Sequence, residues 1–184
     1  MANILVTGSA GFIGSALTIK LLERDNFVIG VDNHNNYYDI NLKEERLKLF
    51  YNNKNYKHNR INLQDTGAVE NLFSNNKIDY VVNLAAQAGV RHSLKDPISY
   101  VESNIVGFTN LLEQCRYKNI KHLVYASTSS VYGLNTKLPY STADPVNHPV
   151  SFYAATKRSN EVLAHSYSHI YGIPSTCLRF FTVY

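Results

Sequence analysis

The sequence predicts an α/β fold: a doubly wound parallel β-sheet with helices on both faces, in three layers α, β, α. Three observations predict it. Six short apolar runs recur along the 184 residues, separated by stretches with apolar residues at helical spacing. The first run passes through a glycine-rich loop straight into the first helical stretch, the local order of a strand–turn–helix unit. The whole length suits one domain with a substantial core and is too short for two full-sized ones.

The strands are expected at 3–7, 27–32, 56–61, 78–84, 122–127 and 176–181. After the glycine loop, Ile13, Leu17 and Leu21 fall at helical spacing and predict an inward apolar stripe. Weaker helices are expected at 41–51 and 65–75. A longer stripe of Val101, Ile105, Phe108, Leu112 and Cys115 predicts a helix before the fifth strand, and Val162, Leu163, Tyr167 and Ile170 predict the apolar face of one over 151–171. Pro139, Pro145 and Pro149 exclude a regular helix or central strand from 134–150, the longest loop.

Composition narrows the function classes. Hydrophobic residues make up 45% and charged residues 17%, which sets disorder and fibrous classes aside. A formal charge of +4 is spread without a basic run, which argues against nucleic acid as a partner; it suits an anionic small molecule or an ordinary lysine-bearing surface equally. Cys115 and Cys177 are too few for a disulfide scaffold or a zinc knuckle and are expected as free thiols. No apolar run approaches the roughly 20 residues of a bilayer span and no signal-peptide pattern opens the chain, so no membrane role and a cytoplasmic location are expected. No metal site is expected either. His165 and His169 stand four apart on a helix, but Ser166 occupies the place where a zincin needs Glu, and no third ligand is evident.

Chemistry enters at Thr7-Gly8-Ser9-Ala10-Gly11-Phe12-Ile13-Gly14. Gly8 allows a tight turn, Gly11 lets a backbone approach a pyrophosphate, and Gly14 allows close helix-to-strand packing, while the amides of the first helical turn face the anion. Asp32 ends the second strand, where a carboxylate accepts from both ribose hydroxyls and repels a 2′-phosphate. Asn33, His34, Asn35 and Asn36 follow it with no arginine among them, so NAD is expected rather than NADP, on a Rossmann-type domain.

Tyr153 and Lys157 form a Tyr-x-x-x-Lys pair one helical turn apart, where an ammonium can lower a phenol's pKa. Tyr117 and Lys121 share the spacing but straddle a helix end and the start of the fifth strand, so only the first pair is a catalytic candidate. It follows Ala126-Ser127-Thr128-Ser129-Ser130-Val131-Tyr132-Gly133, whose hydroxyls belong to the carboxyl end of the fifth strand, on the same rim as the glycine loop.

These motifs resemble the extended short-chain dehydrogenases/reductases of the NAD-dependent epimerase/dehydratase kind, whose loop commonly reads Thr-Gly-x-x-Gly-Phe-Ile-Gly. Val31-Asp32-Asn33, Tyr37-Tyr38-Asp39, Leu42-Lys43, Ala85-Ala86-Gln87-Ala88-Gly89-Val90-Arg91 and Leu178-Arg179-Phe180-Phe181-Thr182-Val183-Tyr184 look like UDP-glucuronate 4-epimerases in particular. The resemblance implies cofactor contacts from Gly8, Gly11, Phe12, Ile13, Gly14, Asp32, Asn33, Asn62, Leu63, Leu84, Ala85, Ala86, Asn104, Ser127, Tyr153, Lys157 and Phe180. It also implies catalysis by Tyr153, Lys157 and Thr128, and a UDP-sugar held by Thr128, Ser129, Ser130 and Thr182. Related 4,6-dehydratases carry Asp-Glu where Ser129 and Ser130 stand, and related decarboxylases carry Glu at the second place. Two hydroxyls suit a substrate carboxylate and do not suit elimination chemistry, which favours an epimerase.

The implied reaction removes the proton of the 4-hydroxyl through Tyr153, helped by Thr128, while hydride passes from carbon 4 to the nicotinamide of NAD. The 4-keto sugar then turns over and is reduced on its other face. The family continues past the sixth strand into a substrate domain of about 100 to 150 residues. The chain ends at Tyr184, so residues 1–184 are expected to be the NAD-binding domain with that part missing. A silent NAD-binding module, or another nucleotide-sugar epimerase or dehydratase, are the alternatives. A homodimer through helices near 97–117 and 151–171 is the implied assembly.

Overall fold

A computed structural model describes residues 1–182; Val183 and Tyr184, the end of the last resembling segment, lie outside the described residues. The elements alternate: β1 (Asn3–Thr7), α1 (Phe12–Leu22), β2 (Phe27–Val31), α2 (Ile40–Lys48), β3 (Tyr56–Asn59), α3 (Thr66–Ser74), β4 (Tyr80–Asn83), α4 (Pro97–Tyr100), α5 (Gly107–Tyr117), β5 (His122–Thr128), α6 (Phe152–Tyr171) and β6 (Ser175–Phe180). The strands form one sheet in the order β3-β2-β1-β4-β5-β6, and every neighbouring pair runs parallel. The chain winds outward from β1 to β3, then crosses back to place β4 on the other side of β1. That reversal opens a crevice at the carboxyl ends of β1 and β4.

Both faces of the sheet are covered, which is why the central strands read as continuous apolar runs. Leu5 points to one face and packs with Val69, Phe73, Phe108, Leu111 and Leu112 from α3 and α5. Ile4 and Val6 point to the other and pack with Val28, Leu22, Leu47 and Phe50 beside α1 and α2. At the open edge β6 alternates, leaving Thr176 and Leu178 exposed. The loop over 134–150 has no helix or strand, as its prolines require.

Three helical faces differ from the expected stripes. On α1 the buried positions are Gly14, Ser15, Thr18 and Leu22, while Ile13 is exposed and Leu17 and Leu21 are half-buried. The helix starts so close to the glycine loop that a Cβ on Gly14 would overlap the Gly8 carbonyl, so small residues must face inward. Before α5, a π-helical segment (Val101–Val106) interrupts the 3.6-residue period. The slip exposes Val101, leaves Ile105 half-buried and turns Asn104 inward, and the stripe resumes at Phe108, Leu112 and Cys115. On α6, Val162 and Ile170 are exposed. The buried face carries Ala154, Thr156, Lys157, Asn160, Glu161 and Ala164, a polar face that hydropathy alone assigns to solvent.

Candidate active site

A cavity of about 680 Å³ occupies the crevice at the strand reversal. Gly8, Gly11, Phe12, Ile13 and Gly14 line it from the first loop, Asp32 and Asn33 from the end of β2, and Leu63 from beyond β3. Leu84, Ala85 and Ala86 come from beyond β4, and Ser127, Thr128, Ser129 and Ser130 from the end of β5. Tyr153 and Lys157 line it from α6, and Phe180 and Thr182 from β6 and beyond. Two expected contacts do not join them. Asn62 is exposed, because alternation along the extended segment after β3 sends Ile61 and Leu63 inward and Asn62 out. Asn104 is buried behind the wall, where it accepts from the Gln87 amide (2.8 Å) and donates to the Gln87 carbonyl (3.0 Å) and the Thr156 hydroxyl (3.0 Å). It ties the loop after β4 to α6.

The glycine loop is shaped by backbone contact. Gly8 has φ +71°, and a Cβ there would stand 2.9 Å from the Ala85 amide nitrogen. Gly11 donates to the Gly8 carbonyl (2.9 Å) and caps α1 without a side chain, so the amides of the first helical turn face the cavity without acceptors further back in the helix.

Asp32 is buried, and its Oδ1 accepts from the His34 amide (2.9 Å) and from Lys43 Nζ (2.9 Å). The chain neighbours of Asp32 carry no cation, but α2 delivers Lys43 to it and places Arg46 in the same wall. Sequence proximity misses both. Asp39 caps α2 by accepting from the Asn41 amide, and that phase puts Lys43 and Leu47 on one buried face four residues apart.

At the other end, Ser151 caps α6 and the Tyr153 amide donates to Ser93 Oγ (3.1 Å), which orients the first turn. Burial pushes the Tyr153 phenol above its usual pKa, and the neighbouring Thr128 hydroxyl pulls it down. Lys157, only 2% exposed, is pulled down to about 8 by burial, with Cys177 and Glu161 opposing. The expectation that the ammonium lowers the phenol is not met in this geometry: burial, which raises the phenol, is the largest effect on it, and Thr128 is the group that lowers it. Among the described residues no carboxylate lies within ion-pair distance of Lys157. Tyr117 and Lys121, the other pair at this spacing, lie apart: Tyr117 is exposed, and Lys121 pairs with Asp79 at 3.0 Å.

Glu161, one turn beyond Lys157, is a residue the motifs do not flag. It accepts from Ser127 Oγ (2.6 Å), Arg158 Nη1 (2.9 Å), Arg179 Nε (3.0 Å) and Arg179 Nη2 (2.9 Å). Burial alone would raise its pKa, but the hydrogen bonds from Arg179 and Ser127 outweigh it and hold the carboxyl below its usual range. It thereby fixes Ser127 in the wall and locks β5 and β6 to α6. A regular Lys-to-Glu turn is its only sequence signal.

Cys115 and Cys177 are free, no group of metal-ligating side chains occurs among the described residues, and no helix there is long and apolar enough to cross a membrane. His165 and His169 are both exposed.

Comparison with known proteins agrees with this geometry. Protein CapI of Staphylococcus aureus is 54% identical over 182 residues, which cover 99% of this chain and 54% of that protein. UDP-glucuronate 4-epimerase 3 of Arabidopsis thaliana is 48% identical over 183 residues, 99% of this chain and 42% of that one. Among solved structures, the UDP-glucuronic acid 4-epimerase of Bacillus cereus in complex with UDP-glucuronic acid and NAD superposes with a TM-score of 0.91 at 38% identity, over 99% of this chain and 57% of its own. The chain thus spans about half the length of the relatives it matches. Residues 4–184 match the NAD dependent epimerase/dehydratase family, to which this chain belongs.

Proposed function

We propose that the chain is the nucleotide-binding half of an NAD-dependent epimerase that inverts carbon 4 of a UDP-sugar, converting UDP-glucuronate to UDP-galacturonate. The observation that carries this reading is the convergence of Tyr153, Lys157 and Thr128 with the glycine loop on one cavity. The crevice fits an extended dinucleotide: Asp32, just past β2, and Thr128, at the end of β5, are three strand spacings apart, about 14 Å. The first-turn amides of α1 would hold the pyrophosphate, Asp32 with Lys43 the adenosine ribose, and Lys157 the nicotinamide ribose.

Bound NAD supplies reversible acceptance of a hydride from the sugar. Tyr153 takes the proton of the 4-hydroxyl, Thr128 orients that hydroxyl and pulls the phenol's pKa down, and Lys157, charged below about pH 8, holds the nicotinamide ribose. Ser129, Ser130 and Thr182 offer hydroxyls to the sugar carboxylate. Asp32, at the far end, is the only carboxylate in the cavity wall among the described residues, which leaves the reacting end free of a general acid for elimination.

Incubating the purified chain with NAD and UDP-glucuronate should yield UDP-galacturonate, and Tyr153→Phe should slow that conversion by about a hundredfold or more. A second reading is a nucleotide-binding module without turnover. Nucleotide bound without product would select it; nucleotide unbound would sink both. We also propose a homodimer through the helices near 97–117 and 151–171, whose outer faces expose Val106, Tyr117, Val162 and Ile170. Light scattering should give twice the chain mass, and a monomer at micromolar concentration would exclude it.

A further inference from the structure

Beneath Asp32 runs a chain of hydrogen bonds that the reaction does not use. Glu44 Oε1 lies 2.7 Å from His34 Nδ1, and His34 Nε2 lies 2.9 Å from His58 Nε2. His58 Nδ1 lies 2.9 Å from the Tyr56 hydroxyl, which is 3.2 Å from Ser9 Oγ in the glycine loop. The His34 side chain is 3% exposed, its backbone sits at φ +53°, and its amide donates to Asp32. The chain therefore meets the cavity wall at Asp32 and ends on Ser9, buried in the glycine loop.

Donor and acceptor roles follow from the ends inward. An ionised Glu44 can only accept, so neutral His34 carries its proton on Nδ1 and offers Nε2 as an acceptor. His58 must then be protonated on Nε2, accepts on Nδ1 from the Tyr56 hydroxyl, and the Tyr56 oxygen accepts from Ser9. One added proton can be absorbed. His34 then donates from both nitrogens, His58 accepts on Nε2 and donates from Nδ1 to Tyr56, and Tyr56 donates to Ser9, so the ring protons rise from two to three. A second added proton cannot be absorbed, because two N–H groups would face each other across 2.9 Å.

We propose that His34 and His58 are positioning residues for the dinucleotide: their ring contact clasps β3 to the Asp32 and Lys43 end of the cavity, and it opens when both rings are protonated. This rests on the reading of the cavity as an NAD site. The groups facing the pair are Asp32 just after β2 (itself paired with Lys43), Glu44 on α2, Tyr51 after α2, and Tyr56 and Arg60 on and after β3. On His58, Asp32 and Glu44 favour the proton, and Arg60 and a charge on His34 oppose it. Burial first, and then His34, set His58 below its usual value. The sign follows: a histidine depressed in the intact clasp keeps it fully closed above about pH 6.5 and loses it as pH falls further.

The test has two arms. Nitrogen NMR of the histidine rings in the free protein near pH 8 should find His34 protonated on Nδ1 and His58 on Nε2; the opposite tautomers overturn the clasp without reference to any nucleotide. Calorimetric titration with NAD should then show affinity falling about tenfold from near pH 7.5 to near pH 5.5. His58→Gln, whose amide keeps a donor toward His34 but does not titrate, should bind within about threefold of the parent at neutral pH and lose the acid dependence. A parent with flat affinity, or a variant that follows the parent into acid, overturns the coupling. Correct tautomers with no NAD binding at any pH would remove both the coupling and the NAD reading, while leaving the ring contact itself in place.

Discussion

Lys157 shows how far a single side chain can be held from its solution behaviour. It is almost fully buried, and burial draws its ammonium down to about 8, so at neutral pH the folded state carries a charge it would shed more readily than the unfolded chain. A lysine depressed in the folded state favours folding when neutral, at high pH, and that gain disappears as pH falls through the unfolded value toward the folded one. Lys157→Met should therefore stabilise the protein near pH 7 by up to about 3 kcal/mol in urea unfolding while abolishing turnover. Unchanged or lower stability would mean that the ammonium has partners strong enough to offset its burial. Tyr153 and Lys157 were legible because their four-residue spacing falls in the first turns of one helix after the Ser-rich end of the fifth strand, a context that Tyr117 and Lys121 lack. Lys43 and Glu161 were not, since each meets its partner across elements: Asp32 from the end of β2, and Ser127 and Arg179 from β5 and β6.

At the scale of elements, the π segment before α5 decides more than its six residues suggest. It breaks the apolar stripe after Val101 and turns Asn104 toward Gln87 and Thr156, so one side chain satisfies both backbone groups of Gln87. Asn160 in turn donates to the Asn104 carbonyl at 2.6 Å. Asn104→Ala would leave the Gln87 amide and carbonyl buried without partners, at a cost of about 2 to 4 kcal/mol. Denaturant unfolding should record that loss, and a change under about 1 kcal/mol would mean that the loop reorganises or water replaces the amide. Strand positions and helix existence were readable from period and punctuation. The inward face of α1, of the π segment before α5 and of α6 was not, because close approach at Gly14, a π slip and a buried polar network each override the hydropathy pattern.

Across the whole molecule, the parallel order β3-β2-β1-β4-β5-β6 turns separate motifs into one cavity. Any ligand that binds the folded crevice and not the unfolded chain must raise stability, by about 2.7 kcal/mol at a hundredfold excess over its dissociation constant. NAD should therefore shift the thermal midpoint upward, and Gly14→Ala, whose new Cβ meets the Gly8 carbonyl, should lose most of that shift. An equal shift in both proteins would place the nucleotide elsewhere.

The linear sequence by itself determined the α/β class, the glycine loop, Asp32 and the Tyr153–Lys157 pair, because each depends on contacts within a few residues or on a repeating period. Only the tertiary structure decided that Asn62 and Asn104 stand outside the cavity, that Lys43 neutralises Asp32, and that His34 meets His58. Those outcomes depend on distances between segments remote along the chain. Packing sets them, and no local pattern encodes them.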